Sequence, residues 1–292
     1  VGALHEIALR TRPAWARALG HLALGRPTFD RWNLAGGPLP TMARPDMIWA
    51  TPRNALGAAL ALREQAGWEG VPLVAAVNDI WTGVVQRRGD SGGGVARGPL
   101  LPLLRRAEAR YLARADRVVV QSEQDARVAV EELGLAPDRV AVLPNGVAPA
   151  LFRLPLDRPR EVVGWVGDAG GPHDRETLKT LLEEVWPALR ARRPELRLEL
   201  VGPGTEALAP DPAEGIRARG FVREITDVYA SMRVLLAPTF KGYGRINKVA
   251  EAMTAGVPVV GDATAFHGME GFRAGVHGVV VDGWDDFPEA VD

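Results

Sequence analysis

Short, wholly apolar runs recur along this chain, each cut off by glycine or a polar turn and each followed by a stretch of helical composition. Leu73-Val74-Ala75-Ala76-Val77, Val118-Val119-Val120, Val140-Ala141-Val142-Leu143, Val162 to Val166, Leu196 to Val201 and Val234-Leu235-Leu236-Ala237 are of this kind. They lack the in–out alternation of a strand with one wet face, so both faces must be covered. With Met47 to Ala50 as a further strand, and helices over Asn54 to Gln65, Leu100 to Arg114 and Glu176 to Arg192, the pattern predicts an α/β fold. Its sheets are parallel and lie beneath helices.

A chain of 292 residues is long enough for two such units. The proline-rich piece from Pro149 to Pro159 reads as the linker between them, giving expected domains at residues 1–150 and 151–292. Before Met47 the pattern is weaker. Leu4, Ala8, Trp15, Ala18, Leu19 and Leu22 fall near helical spacing, and Pro13 either starts a second helix or breaks a single one. The polar, glycine-rich segment Arg87 to Gly98 reads as a mobile surface loop. The chain opens on Val1 and stops inside an expected helix, Phe287 to Asp292, so segments are expected to be missing at both ends.

Composition narrows the function. A net charge of -1 supplies no field to recruit nucleic acid. The absence of cysteine excludes disulfides, thiol catalysis and thiolate metal sites. The histidines (His5, His21, His173, His267 and His277) are scattered without helical ligand spacing, which argues against zinc. No apolar run approaches the ~18 residues that span a bilayer, and the first residues do not form a signal peptide. A cytoplasmic protein is expected, with peripheral membrane contact compatible.

Ligands of open parallel sheets sit at the C-terminal ends of the strands. Gly167-Asp168, Gly202-Pro203-Gly204 and the loop Lys241-Gly242-Tyr243-Gly244 all fall there. The last of these feeds a helix expected from about Ile246 to Ala255 and closed by Gly256, followed by the strand Val257 to Val260. A glycine loop before a helix start offers unpaired N–H groups and a positive dipole end to a phosphate. Lys248 and Glu251, three residues apart, share a face of that helix. One suits a diphosphate and the other a pair of sugar hydroxyls; equally, the two suit an ion pair on a surface helix. Elsewhere, Ser122 is expected to cap the helix behind it, with Asp125 three residues on. Asn78 and Asp79 follow a buried strand at its C-terminal end, where Asp79 either binds a hydroxyl or caps the next segment.

Several ordered motifs resemble the group 1, family 4 retaining glycosyltransferases. They are Ala115-Asp116-Arg117-Val118-Val119-Val120-Gln121-Ser122-Glu123, Leu143-Pro144-Asn145-Gly146-Val147, Val163-Gly164-Trp165-Val166-Gly167, Leu200-Val201-Gly202-Pro203-Gly204 and Gly220-Phe221-Val222. Asn247-Lys248-Val249-Ala250-Glu251-Ala252-Met253, with Gly256-Val257-Pro258-Val259-Val260, completes the series. The likeness extends from about Ala115 to the end. It implies a GT-B fold, with two Rossmann-like domains whose parallel sheets face a cleft: an acceptor-side N-terminal domain and a nucleotide-sugar donor domain. It implies no cofactor and no metal, the nucleotide diphosphate sugar being a substrate and the acceptor a glycan, a lipid-linked or a small molecule. On this mapping Glu251 accepts from the ribose hydroxyls and backbone at Val222 and Arg223 meets the base. Gly167, Gly242, Tyr243, Gly244 and the helix start at Asn247 surround the diphosphate and sugar.

The sequence departs from that family in two places. The family commonly carries two glutamates separated by seven residues, and counting back from Glu251 reaches Tyr243; no Asp or Glu lies between Asp227 and Glu251. The arginine and lysine that many members place after the Gly167 strand are replaced by Asp168-Ala169-Gly170-Gly171-Pro172-His173-Asp174-Arg175. Arg245 and Lys248 are the expected substitutes, and Asn78 stands where many relatives have a histidine. The expectation is therefore a retaining, metal-independent glycosyltransferase. Its rival is a catalytically silent GT-B module that binds a nucleotide or glycan; an epimerase on the same fold lacks an acid/base set.

Overall fold

The computed structural model describes residues 9–11, 32–34, 42–51, 53–83, 100–157, 160, 162–208, 212–239 and 246–291. The chain divides into two compact units, Val1–Pro144 and Asn145–Asp292.

In the first unit β1 (Leu9–Thr11) and β2 (Trp32–Leu34) form a small antiparallel pair, so Leu9–Thr11 departs from the helical spacing of that region. The main sheet is parallel, in the order β3 (Ile48–Ala50), β4 (Leu73–Ala76), β5 (Arg117–Val120), β6 (Val140–Val142). All four residues of β4 are buried, as a strand covered on both faces requires. Helices α1 (Leu56–Gln65), α2 (Leu100–Leu112) and α3 (Glu123–Arg127) follow their strands. Leu56, Leu60, Tyr111 and Leu112 join Leu73, Ala75, Val118 and Val120 in one core. Asp116 ties the sheet at its base: its carboxylate accepts from Leu73 N at 2.7 Å and from Arg63 Nη1 at 2.8 Å. Ser122 caps α3 as expected, its hydroxyl accepting from Asp125 N at 3.1 Å.

The second unit carries a six-stranded parallel sheet in the order β12-β11-β10-β7-β8-β9. The strands are β7 (Val162–Val166), β8 (Arg197–Val201), β9 (Ile216–Gly220), β10 (Met232–Ala237), β11 (Val259–Asp262) and β12 (Val279–Val281). The chain steps outward from β7 through β8 to β9, returns to β10 on the other side of β7, and continues outward to β11 and β12. Alternate residues of β10 feed opposite cores. Val234 and Leu236 pack with α4 (Pro172–Thr180) and α5 (Trp186–Arg192), which a π turn at Leu181–Val185 joins into one rod. Leu235 and Ala237 pack with α6 (Ile225–Ser231) and α7 (Asn247–Thr254). A short α8 (Phe287–Val291) closes the first of these faces with Phe287.

One expectation is corrected. Pro149–Arg153 is a 3-10 turn whose Leu151 is buried in the second unit, so this part of the expected linker belongs to a folded body. Ile216–Gly220 is a strand, and Gly220 of the Gly220-Phe221-Val222 motif ends it. Its sequence, IRARG, hides it because it lies at the sheet edge, where Arg217 and Arg219 both pair with the buried Glu199 of β8, a charged edge that discourages pairing with another chain.

Candidate active site

The strand order of the second unit reverses between β7 and β10, and the crevice beyond the C-terminal ends of those strands is where a doubly wound sheet receives its ligand. Three glycine turns build one wall. Gly167 N donates to Val201 O at 3.0 Å, Gly202 N to Gly220 O at 2.9 Å, and Ala169 N to Pro203 O at 2.9 Å. Thr205 clamps the turns: its buried hydroxyl donates to Gly202 O at 2.9 Å and accepts from Gly220 N at 3.0 Å. Gly202 is obligatory, with φ of 129° and a site at which a Cβ would stand 1.8 Å from the Gly167 carbonyl oxygen.

The loop behind Gly167 is closed by its own carboxylates. Asp174, in the first turn of α4, accepts from Asp168 N at 2.9 Å, and Asp168 accepts from Gly170 N at 2.9 Å. This lip is acidic, in line with the departure in sequence: the arginine and lysine of many members of the resembled family are replaced here.

The opposite lip is α7. Ile246, its N-cap residue, makes no side-chain capping bond, so the orphan N–H groups of the first turn have no acceptor from that source. Asn247 opens the helix, and its side-chain oxygen accepts from Asn145 Nδ2 at 2.9 Å. Lys248 and Glu251 do not pair with each other among the described residues. The Lys248 ammonium stands over the Trp165 ring of β7, 5.2 Å from its centroid. Burial pushes its pKa down, and the charge of Asp174 only partly opposes this. Glu251 accepts a hydrogen bond from the Tyr229 hydroxyl of α6 at 2.9 Å, and the same hydroxyl lies 3.2 Å from Lys248 O. Burial raises the Glu251 carboxyl, and the bond from Tyr229 opposes the rise. Burial, and then the neighbouring Glu251, push the Tyr229 hydroxyl far above its ordinary range, so it stays protonated and donates.

Val222 is half-buried and Arg223 exposed in the turn between β9 and α6. Gly242, Tyr243, Gly244 and Arg245 lie outside the described residues, as does Lys241. The stem of their loop is fixed: buried Asp262 accepts from Thr239 N at 2.5 Å and Thr239 Oγ1 at 3.0 Å, and from Thr264 N at 2.9 Å. The sequence reading missed Trp165, Tyr229, Asp174 and Asp262. Trp165 sits in an apolar strand and Tyr229 in an amphipathic helix, and both read as core; a short polar side chain closing an apolar run, as at Asp262, was the available signal for the last.

A model of the "Glycosyl transferases group 1" family matches residues 160–292, and one of "Glycosyltransferase Family 4" matches residues 6–151. This chain belongs to the group 1, family 4-type glycosyltransferases. No match was found among curated protein sequences. Among crystal structures, the Anabaena protein HepE in complex with UDP and glucose is similar, with 19% identity and a TM-score of 0.56 over 84% of this chain and 66% of that one. Sucrose-phosphate synthase from Thermosynechococcus elongatus shares 20% identity, with a TM-score of 0.60 over 84% and 63% of the two chains. The pneumococcal O-GlcNAc transferase GtfA in complex with UDP and GlcNAc shares 15%, with a TM-score of 0.55 over 80% and 46%. The chain thus spans less than two thirds of the length of these proteins. The fold of this glycosyltransferase is GT-B. Among the described residues, no helix is long and apolar enough to cross a membrane.

In its first unit, Asn78 is exposed and Asp79 half-buried just beyond the C-terminal end of β4. The turn they belong to is anchored by Glu108 of α2, a fully buried carboxylate that accepts from Trp81 N and Thr82 N, each at 2.7 Å.

Proposed function

We propose that this glycosyltransferase moves a sugar from a nucleotide diphosphate sugar to an acceptor, with retention of anomeric configuration and without a metal ion. The observation that carries the reading is the Lys248 ammonium. It is desolvated, has no hydrogen bond or ion pair among the described residues, and lies at the switch point beside the uncapped start of α7. A half-buried, desolvated cation without a partner among the described residues is costly, and an anionic ligand relieves that cost. Glu251 lies one turn along, with Oε2 engaged by Tyr229; Oε1 is the acceptor for a ribose hydroxyl. Departure of a diphosphate builds negative charge that Lys248, Arg245 and the helix terminus stabilise in place of a metal. The complexes of HepE with UDP and glucose or UDP-glucose, and of GtfA with UDP and GlcNAc, are in keeping with such a donor. The second unit is the donor side, with base contacts at Val222 and Arg223. The first is the acceptor side, with Asn78 and Asp79 as candidate contacts for a glycan, lipid-linked or small-molecule acceptor.

A second reading, a catalytically silent module that binds a nucleotide or glycan, draws on the missing first acid before Glu251 and on the acidic lip at Asp168 and Asp174, which disfavours a departing diphosphate. Two measurements separate the readings. Calorimetry with UDP and GDP is expected to show binding of at least one, weakened about tenfold or more in Glu251→Ala by loss of a charged hydrogen bond. Hydrolysis across a panel of nucleotide sugars then distinguishes an enzyme from a binding module. Binding of neither nucleotide, or equal binding by the variant, removes the site.

A further inference from the structure

We propose that Trp165 is a positioning residue for Lys248: its indole face, in place of a carboxylate, holds the ammonium at the C-terminal ends of β7 and β10 and leaves its N–H donors for an anionic ligand. The platform itself stands on the contact between the Lys248 ammonium and the Trp165 ring, while the ligand half rests on the donor-site reading above.

The geometry is that of a cation over an aromatic face. The ammonium lies 5.2 Å from the ring centroid, inside the ~6 Å range in which the ring quadrupole attracts a charge. Trp165 is fully buried, and its indole Nε1 has no hydrogen-bond partner among the described residues. A core position that only needed filling would favour phenylalanine or leucine, which bring no orphan donor; the buried indole N–H is a cost that calls for a compensating role. Tryptophan also presents the best cation-binding face of the three aromatic rings.

The neighbourhood is shaped around this contact. Gly167 lacks the Cβ that would stand 2.6 Å from the far edge of the indole and 2.9 Å from Asp174 Oδ2. The absence of a side chain there lets the ring edge reach the rim of the crevice. Among the described residues, the charge that bears on Lys248 is that of Asp174 from the first turn of α4; Glu251 lies three residues on along its own helix. Asp174 is occupied by Asp168 N, and Glu251 by the Tyr229 hydroxyl of α6. A carboxylate paired directly with Lys248 would use its donors and would have to be displaced by an arriving diphosphate. A π face holds the charge without competing for it.

Residue choice points the same way. Only Lys179, Lys241 and Lys248 are lysines, against 32 arginines, so lysine is not this chain's default cation. A compact ammonium fits above a ring and turns its donors outward, whereas a planar guanidinium would stack flat on it.

The scarcity of lysine makes the test direct. Protein labelled with 13C-lysine gives three side-chain signals, and Lys248→Met identifies that of Lys248 by its disappearance. The Lys248 ε-methylene protons are expected upfield of those of Lys179 through the indole ring current. In folded Trp165→Phe the Lys248 titration midpoint is expected to fall by roughly 0.3–1 pH unit as the weaker face stabilises the charge less. Inorganic pyrophosphate is expected to shift the Lys248 signal in the parent protein. An ε-methylene signal at the Lys179 position, which needs no variant, or an unchanged or raised midpoint in Trp165→Phe, overturns the platform and leaves the donor site standing. A Lys248 signal that pyrophosphate does not move overturns the ligand half, and the donor-site reading with it, while the ring contact stands.

Discussion

Replacing Lys248 by methionine is expected to stabilise the free protein and to weaken the donor complex, two effects of opposite sign from one atom. Methionine keeps an unbranched stem of similar reach and packs adaptably. It removes an ammonium that is desolvated and has no hydrogen bond or ion pair among the described residues. Leaving such a group unsatisfied costs about 1–3 kcal/mol, of which the Trp165 face returns about 0.5–2 kcal/mol. The net gain on removal is therefore about 1 kcal/mol. In a unit running from Asn145 to Asp292 that corresponds to a rise of about 2–4 °C in melting temperature. Against this, one charge-assisted hydrogen bond to a phosphate contributes about 1.5–3 kcal/mol, so UDP affinity should fall roughly 10- to 150-fold. Thermal unfolding without ligand, together with calorimetry in UDP, measures both. A lower melting temperature for Lys248→Met, or affinity within about twofold of the parent, would refute the reasoning, because Lys248 would then be a structural cation with an internal partner.

Two further expectations follow from the same geometry. The folded pKa of Lys248 lies below the ordinary 10.5, so the cost of its desolvated charge is present below the folded value and lifts as pH rises through it; stability without ligand should climb between the folded value and 10.5 while UDP affinity falls. Glu251 is raised above 4.5, so its ionised form carries a cost above the folded value that disappears as pH falls, and affinity should fall in that acid window too; Lys248→Met and Glu251→Gln should each flatten one limb of the affinity–pH curve, and limbs unaffected by either variant would assign the titrations elsewhere. Gly202→Ala should destabilise the second unit by about 3 kcal/mol or more, since backbone strain at a φ of 129° adds to collision with the Gly167 carbonyl; a urea midpoint close to that of the parent would show that the three glycine turns are not locked together.

What the sequence made legible is what nearest neighbours decide. Val162–Val166 and the helix around Lys248 were read from local periodicity, because a strand covered on both faces must be apolar throughout and a helix must bury one stripe. The spacing of Lys248 and Glu251 placed both on one face, yet left an ion pair and a ligand pair equally open. The ion pair does not form among the described residues: Lys248 stands over Trp165, 83 positions upstream of it, and Glu251 accepts from Tyr229, 22 positions upstream. No local pattern marks either one, since a tryptophan inside an apolar strand and a tyrosine inside an amphipathic helix satisfy core packing equally well. The acidic lip shows the converse. The loop from Asp168 to Arg175 stood out in sequence for lacking the basic pair that many relatives carry, and in the fold Asp168 and Asp174 hold backbone N–H groups of that loop. Their negative charge is thereby anchored on the α4 lip, opposite a cation held without a counter-ion among the described residues on the α7 lip. On the donor-site proposal, a diphosphate entering such a crevice would be drawn to α7 and away from α4, so the asymmetry of the two lips would orient the donor as well as bind it.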